Sequence, residues 1–103
     1  MAQLSSEIQE LINQVKLLKQ KEPTNQTFID QYDKLEEQME EAQDREWNEN
    51  HKGYLDAQAA LKAAKAEAEK KLKDLSDTAT VIEKIASAID KVGKALAALG
   101  KIA

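Results

Sequence analysis

The stretch Arg45–Tyr54, REWNENHKGY, holds the only Trp and the only His of the chain and one of its three Gly. His51 is the side chain whose ordinary pKa lies nearest neutrality. It is flanked by Glu49, Trp47 and Lys52, and on a helix Trp47 would stand one turn away. An imidazole among carboxylates is raw material for metal binding, but a metal site needs three or four ligands converging at fixed distances. The sequence contains no paired-His helix motif, no Ser–His–acid arrangement and no Gly-rich phosphate cradle. The stretch therefore reads as a solvated His near a helix end, with Trp47 tucked over the rim of a bundle. No catalytic, metal-ligating or cofactor-binding residue is expected, and the chain reads as non-enzymatic.

A second candidate is the acidic block Glu36, Glu37, Glu40, Glu41, Asp44, Glu46 and Glu49, relieved only by Arg45. Calcium loops alternate oxygen ligands through a Gly-containing turn, which helical spacing does not provide. Like charges one turn apart, such as Glu36 and Glu40, repel slightly and are tolerated on a solvated face. The block is expected to be such a face, complemented by Lys62 and Lys65 across a hairpin, with a basic protein partner as the other reading.

The whole chain restricts the partners further. Its net charge is -4 and its pI about 5.0, whereas nucleic-acid-binding domains concentrate Lys and Arg to a pI above about 9; nucleic acid is not expected. The absence of Cys removes disulfides and thiolate chemistry. The opening MAQLSSEIQELINQ lacks the basic start and apolar run of a signal peptide, and no span approaches the ~20 apolar residues of a membrane helix. A cytoplasmic location is the expectation, with signal-less export as the alternative.

Ala, Glu, Lys, Leu and Gln dominate, with one Pro and 4% aromatics, which is the composition of long helices rather than of sheets. At 103 residues a single domain is expected. Leu4, Ile8, Leu11, Val15 and Leu18 step by four and three along one helix face, and Ile12 and Leu17 widen it. Ser6 and Gln9 have capping-box spacing, and Pro23 bars continuation. After Thr24 or Asn25 as a cap, Phe28, Tyr32, Leu35, Met39 and Ala42 form the second stripe. That stripe fails at Glu46 and Asn50. Gly53 suits the left-handed C′ position and Tyr54 the C″ position of a helix ending there, with Asp56 capping the next.

From Asp56 the chain strongly favours helix, with Leu61, Ala64, Ala68, Leu72 and Leu75 on one face. Seven of the twelve residues from Ala57 to Ala68 are Ala, so a neighbouring helix can approach closely. Thr80 and Glu83 again have capping-box spacing. The last segment is the most hydrophobic: Ile82, Ile85, Ile89, Val92, Leu96 and Leu99, flanked by Val81, Ala88, Ala95 and Ile102. The expected helices run over about 4–21, 25–52, 56–75 and 78–102. They form an all-α, up-down antiparallel bundle of four helices, or of three if the central one is unbroken.

Length, lack of Cys and the central Trp47-to-Gly53 segment are similar to the small secreted helical-hairpin proteins that carry Trp-x-Gly in their turn. Here five residues separate Trp47 from Gly53 and Pro23 divides the first helix. The turn KQKEPTNQ is similar to that of type III secretion needle subunits, without their paired Pro. Neither family is assigned on these likenesses.

The functional expectation is a small interaction or assembly module that meets itself or a partner helix through Ile82, Ile85, Ile89, Val92, Leu96 and Leu99. These residues spread around about half of the last helix. The alternative is a membrane-surface or signal-less secreted helical protein. From Thr78 to Ala103, four Lys against Glu83 and Asp90 leave 4 - 2 = +2, a cationic amphipathic helix.

Overall fold

The computed structural model describes residues 4–43 and 53–102, with side chains as far as Ala98. His51, Trp47, Arg45, Glu49 and the Leu99 side chain lie outside the described residues. Four helices make up the fold: α1 (Leu4–Lys21), α2 (Gln26–Gln43), α3 (Tyr54–Leu72) and α4 (Thr78–Ile102). Each α-helix of this length needs tertiary cover for its apolar face, and here each packs on two neighbours.

The neighbours are α1 with α2, α1 with α3, α3 with α4, and α2 with α4. Taken around the ring, the order is α1, α2, α4, α3. Cross-helix contacts fix the directions. Lys65 of α3 meets Glu10 of α1, while Lys21 at the end of α1 reaches Lys71 and Leu72 at the end of α3, so α1 and α3 run parallel. Gln31 and Gln38 of α2 reach Ile82 and Ile89 of α4 in the same order, so these two also run parallel. Each hairpin is antiparallel within itself, and the two hairpins lie side by side. Because α2 and α3 point in opposite directions, one continuous central helix is excluded.

The core follows the periodicity of α1 closely. Leu4, Ile8, Leu11, Val15 and Leu18 are fully buried, together with Phe28, Leu35, Leu61, Ile85 and Val92. Burying a side chain of this size contributes about 1.5–3 kcal/mol. Ala57, Ala64, Ala68, Ala88 and Ala95 are also buried, so much of the α3 and α4 contact is backbone brought close by small side chains.

Several expectations are corrected. Leu17 is 47% exposed and Leu75 73% exposed, so neither belongs to the core. Asn25 does cap α2, its Oδ1 accepting from the N–H groups of Thr27 and Phe28. At α4, however, Asp77 is the cap, accepting from the Thr80 N–H at 2.7 Å, and Thr80 lies inside the helix. Ser6 likewise lies within α1. Lys65 pairs with Glu10 of α1 rather than with the acidic face of α2. Gly53 is in the left-handed region as expected, at φ 83°, and precedes α3 as its N-cap, while the helix end expected before it at Lys52 lies outside the described residues. Tyr54 is then the first helical residue and is buried, and Asp56 lies in the first turn instead of capping it.

Gly53 is required there on two grounds. Its φ is costly for any residue with a Cβ, and an added Cβ would stand 3.2 Å from Ala95 Cα on α4.

The two hairpin turns are joined at one end of the bundle. Glu22 accepts from Asn25 Nδ2 at 3.2 Å through Oε1, and from Thr78 Oγ1 at 3.0 Å through Oε2. Lys71 Nζ lies 3.1 Å from the same Oε2. Lys21 donates to the carbonyls of Lys71 and Leu72 in the last turn of α3 and pairs with Asp74.

Candidate interaction surface

The second helix presents a different line to its neighbours from the one its hydrophobic residues alone suggest. Phe28, Gln31, Leu35, Gln38 and Ala42 are the buried positions of α2, spaced three and four like the seam of a coiled coil. Tyr32 and Met39 stand at the partly buried edge. Two glutamines thus occupy seam positions exactly one heptad apart in sequence, and both point across to α4. Gln31 Nε2 donates to the carbonyl of Ile82 at 3.0 Å, and Gln38 Nε2 donates to the carbonyl of Ile89 at 2.8 Å. Ile82 and Ile89 are also one heptad apart. The two amides therefore fix the register of the parallel α2/α4 pair.

Two side-chain amides thus bridge α2 and α4, and the contact between these helices is the sparsest of the four around the ring. Gly93 and Ala97 supply little bulk on the α4 side. A Cβ on Gly93 would lie 3.4 Å from Gln38 Nε2, within the tight end of van der Waals contact. A groove of about 510 Å³ remains, with Gln38, Ile89, Gly93, Leu96 and Ala97 among its lining. Its rim carries two cations and two anions: Lys34 and Glu41 on α2, Asp90 and Lys94 on α4. Asp90 and Lys94 are 3.2 Å apart along α4, and Lys34 lies 3.6 Å from Glu37 along α2. All are well exposed, so these pairs are weak and free to exchange partners.

The six sequence-predicted contact residues divide between the two sides of α4. Ile85 and Val92 are fully buried inside the bundle. Ile82 and Ile89 are partly buried against its core, while Leu96, 6% exposed, joins Ile89 in the groove. Leu99 lies beyond the described side chains. The breadth of the apolar face of α4 is explained by its two neighbours, α2 and α3. The residues that sequence reasoning missed are Gln31 and Gln38. Their signal was the seven-residue spacing of two amides in register with Phe28, Leu35 and Ala42.

Among the described residues, no group of three or more His, Cys, Asp or Glu is placed to hold a metal ion. No described helix is long and apolar enough to cross a membrane. A second, smaller depression lies near the first turn, lined by Lys16, Lys19, Gln20, Pro23 and Ile29. The chain matches no protein-family model, no curated protein and no solved structure, so its function must be argued from this surface.

Proposed function

We propose that this chain is a small non-enzymatic assembly module that associates through the face shared by α2 and α4, with itself or with a helix of a partner. The observation that carries this reading is the groove between the two helices, an apolar floor framed by charges of both signs. Desolvating Ile89 and Ala97 against another apolar surface supplies the driving force, and the rim charges select the partner and its orientation. Membrane-surface contact by α4 is the alternative, supported by the excess of Lys along that helix.

The test is to follow mass against concentration by light scattering for the native chain and for Ala97→Arg. Ala97 is exposed and lines the groove, so the substitution should leave the fold intact while obstructing the seat. Association that Ala97→Arg abolishes supports the proposal; association indifferent to it contradicts it. Pelleting with anionic vesicles, and not with itself or a purified helical partner, would favour the membrane alternative.

A further inference from the structure

We propose that the groove between α2 and α4 is occupied by a second copy of the same chain, set antiparallel about a twofold axis that crosses the groove at the level of Gln38. This inference rests on the assembly reading and adds the partner and its orientation.

The argument is one of charge placement. On α2, Lys34 and Glu41 flank Gln38, one on each side along the helix. On α4, Asp90 and Lys94 flank the turn that Gln38 touches: Gln38 Nε2 is 2.8 Å from the Ile89 carbonyl and 3.4 Å from a Cβ position on Gly93. Both charge pairs therefore straddle the level of the Gln38 amide. A twofold axis in the plane of the face, perpendicular to the helices at that height, lays α2 on its own copy and α4 on its own copy. It brings Lys34 opposite the second copy's Glu41 and Asp90 opposite the second copy's Lys94. Every contact occurs twice, as a closed isologous interface requires, and no like charges of the rim are opposed.

The floor of Gln38, Ile89, Gly93, Leu96 and Ala97 then meets its own image.

The experiment is sedimentation equilibrium on the native chain, on Lys34→Glu, on Glu41→Lys, and on an equal mixture of the two variants, with circular dichroism to verify helicity. Lys34 and Glu41 are exposed, so neither change disturbs the core. The native chain is expected to dimerise. Each variant alone opposes like charges twice and should dissociate at least tenfold more readily. In the mixture, one partner presents Glu at 34 and 41 and the other Lys at both, so the heterodimer should recover native-like affinity. A parallel dimer would show no such recovery, because each variant would still oppose the unchanged Asp90 or Lys94. Failure of the mixture to recover overturns the antiparallel twofold. A native chain that stays monomeric at high micromolar concentration overturns the second copy as occupant; if Ala97→Arg still abolishes binding of a purified helical partner, the broader assembly reading survives it.

Discussion

Gln38 and Ile89 are joined across α2 and α4 by a 2.8 Å hydrogen bond from a side-chain amide to a main-chain carbonyl, and Gln31 and Ile82 repeat the bond one heptad earlier. The accepting carbonyls belong to the interior of α4, so they take the amide in addition to their own helical N–H. The Oε1 atoms of both glutamines are buried without a hydrogen-bond partner among the described residues. Such amides contribute more to register than to net stability, because an unpaired buried oxygen costs about 1–3 kcal/mol, offsetting a bond of about 1 kcal/mol.

That balance yields a first prediction. Gln38→Leu, similar in size and free of the unpaired oxygen, should alter unfolding free energy by less than about 1 kcal/mol. Gln38→Glu should instead destabilise by about 2 kcal/mol or more at neutral pH, since a carboxylate would face the Ile89 carbonyl with no donor. Burial and that carbonyl would raise the folded-state pKa of the new carboxyl above its unfolded value. The penalty should therefore appear as pH rises past the ordinary carboxylate range and fade below it. Urea titrations at acidic and neutral pH would read both effects; equal losses for Leu and Glu would contradict this account of the site.

A second prediction concerns Gly53. Gly53→Ala forces a Cβ into the left-handed region, at about 1–2 kcal/mol, and against Ala95 Cα on α4, where crowding adds about 1–3 kcal/mol. A destabilisation of at least about 2 kcal/mol by thermal or urea unfolding is expected. A neutral outcome would mean that α3 does not begin against α4 as described.

Acid should loosen the turn end of the bundle. The Asn25 amide, followed by Lys71 and Thr78, holds the Glu22 carboxyl below its ordinary pKa, with burial opposing them. Asp74, beside Lys21, and Asp77, capping α4, are shifted in the same direction. A carboxyl whose folded pKa is depressed contributes stability above its unfolded pKa and loses it as pH falls through the folded value. Stability should accordingly decline as pH drops through and below the ordinary carboxylate range. Glu22→Gln should be less stable than the native chain at neutral pH, and the difference should shrink in acid. A difference that does not change with pH would show that the charge of Glu22 plays no part in joining the two turns.

Much of this fold can be read from spacing alone. Leu4, Ile8, Leu11, Val15 and Leu18 step in helical period and are all buried; Pro23 and Asn25 mark the first turn, and four helices were expected where four are found. Leu17 and Leu75 were misplaced because hydrophobicity does not report which side of a helix its neighbours cover. The order of helices around the ring depends on which hairpin faces pair, and no local pattern encodes that. The groove was only half legible: Ile89 and Leu96 belong to an obvious stripe, whereas Gln38 contributes by reaching a main-chain carbonyl, and Gly93 by leaving space. The expectations for His51 and Trp47 fall outside the described residues.

The most direct test of the central claim is to record backbone amide chemical shifts while the protein is diluted from high to low micromolar concentration. Association through the α2/α4 groove predicts shifts concentrated at Lys34, Gln38, Glu41 and residues 89–97, with the outer sides of α1 and α3 silent. Concentration-dependent shifts centred instead on Leu17, Leu55 or Leu75, or a spectrum unchanged by dilution and by a purified helical partner, would contradict it.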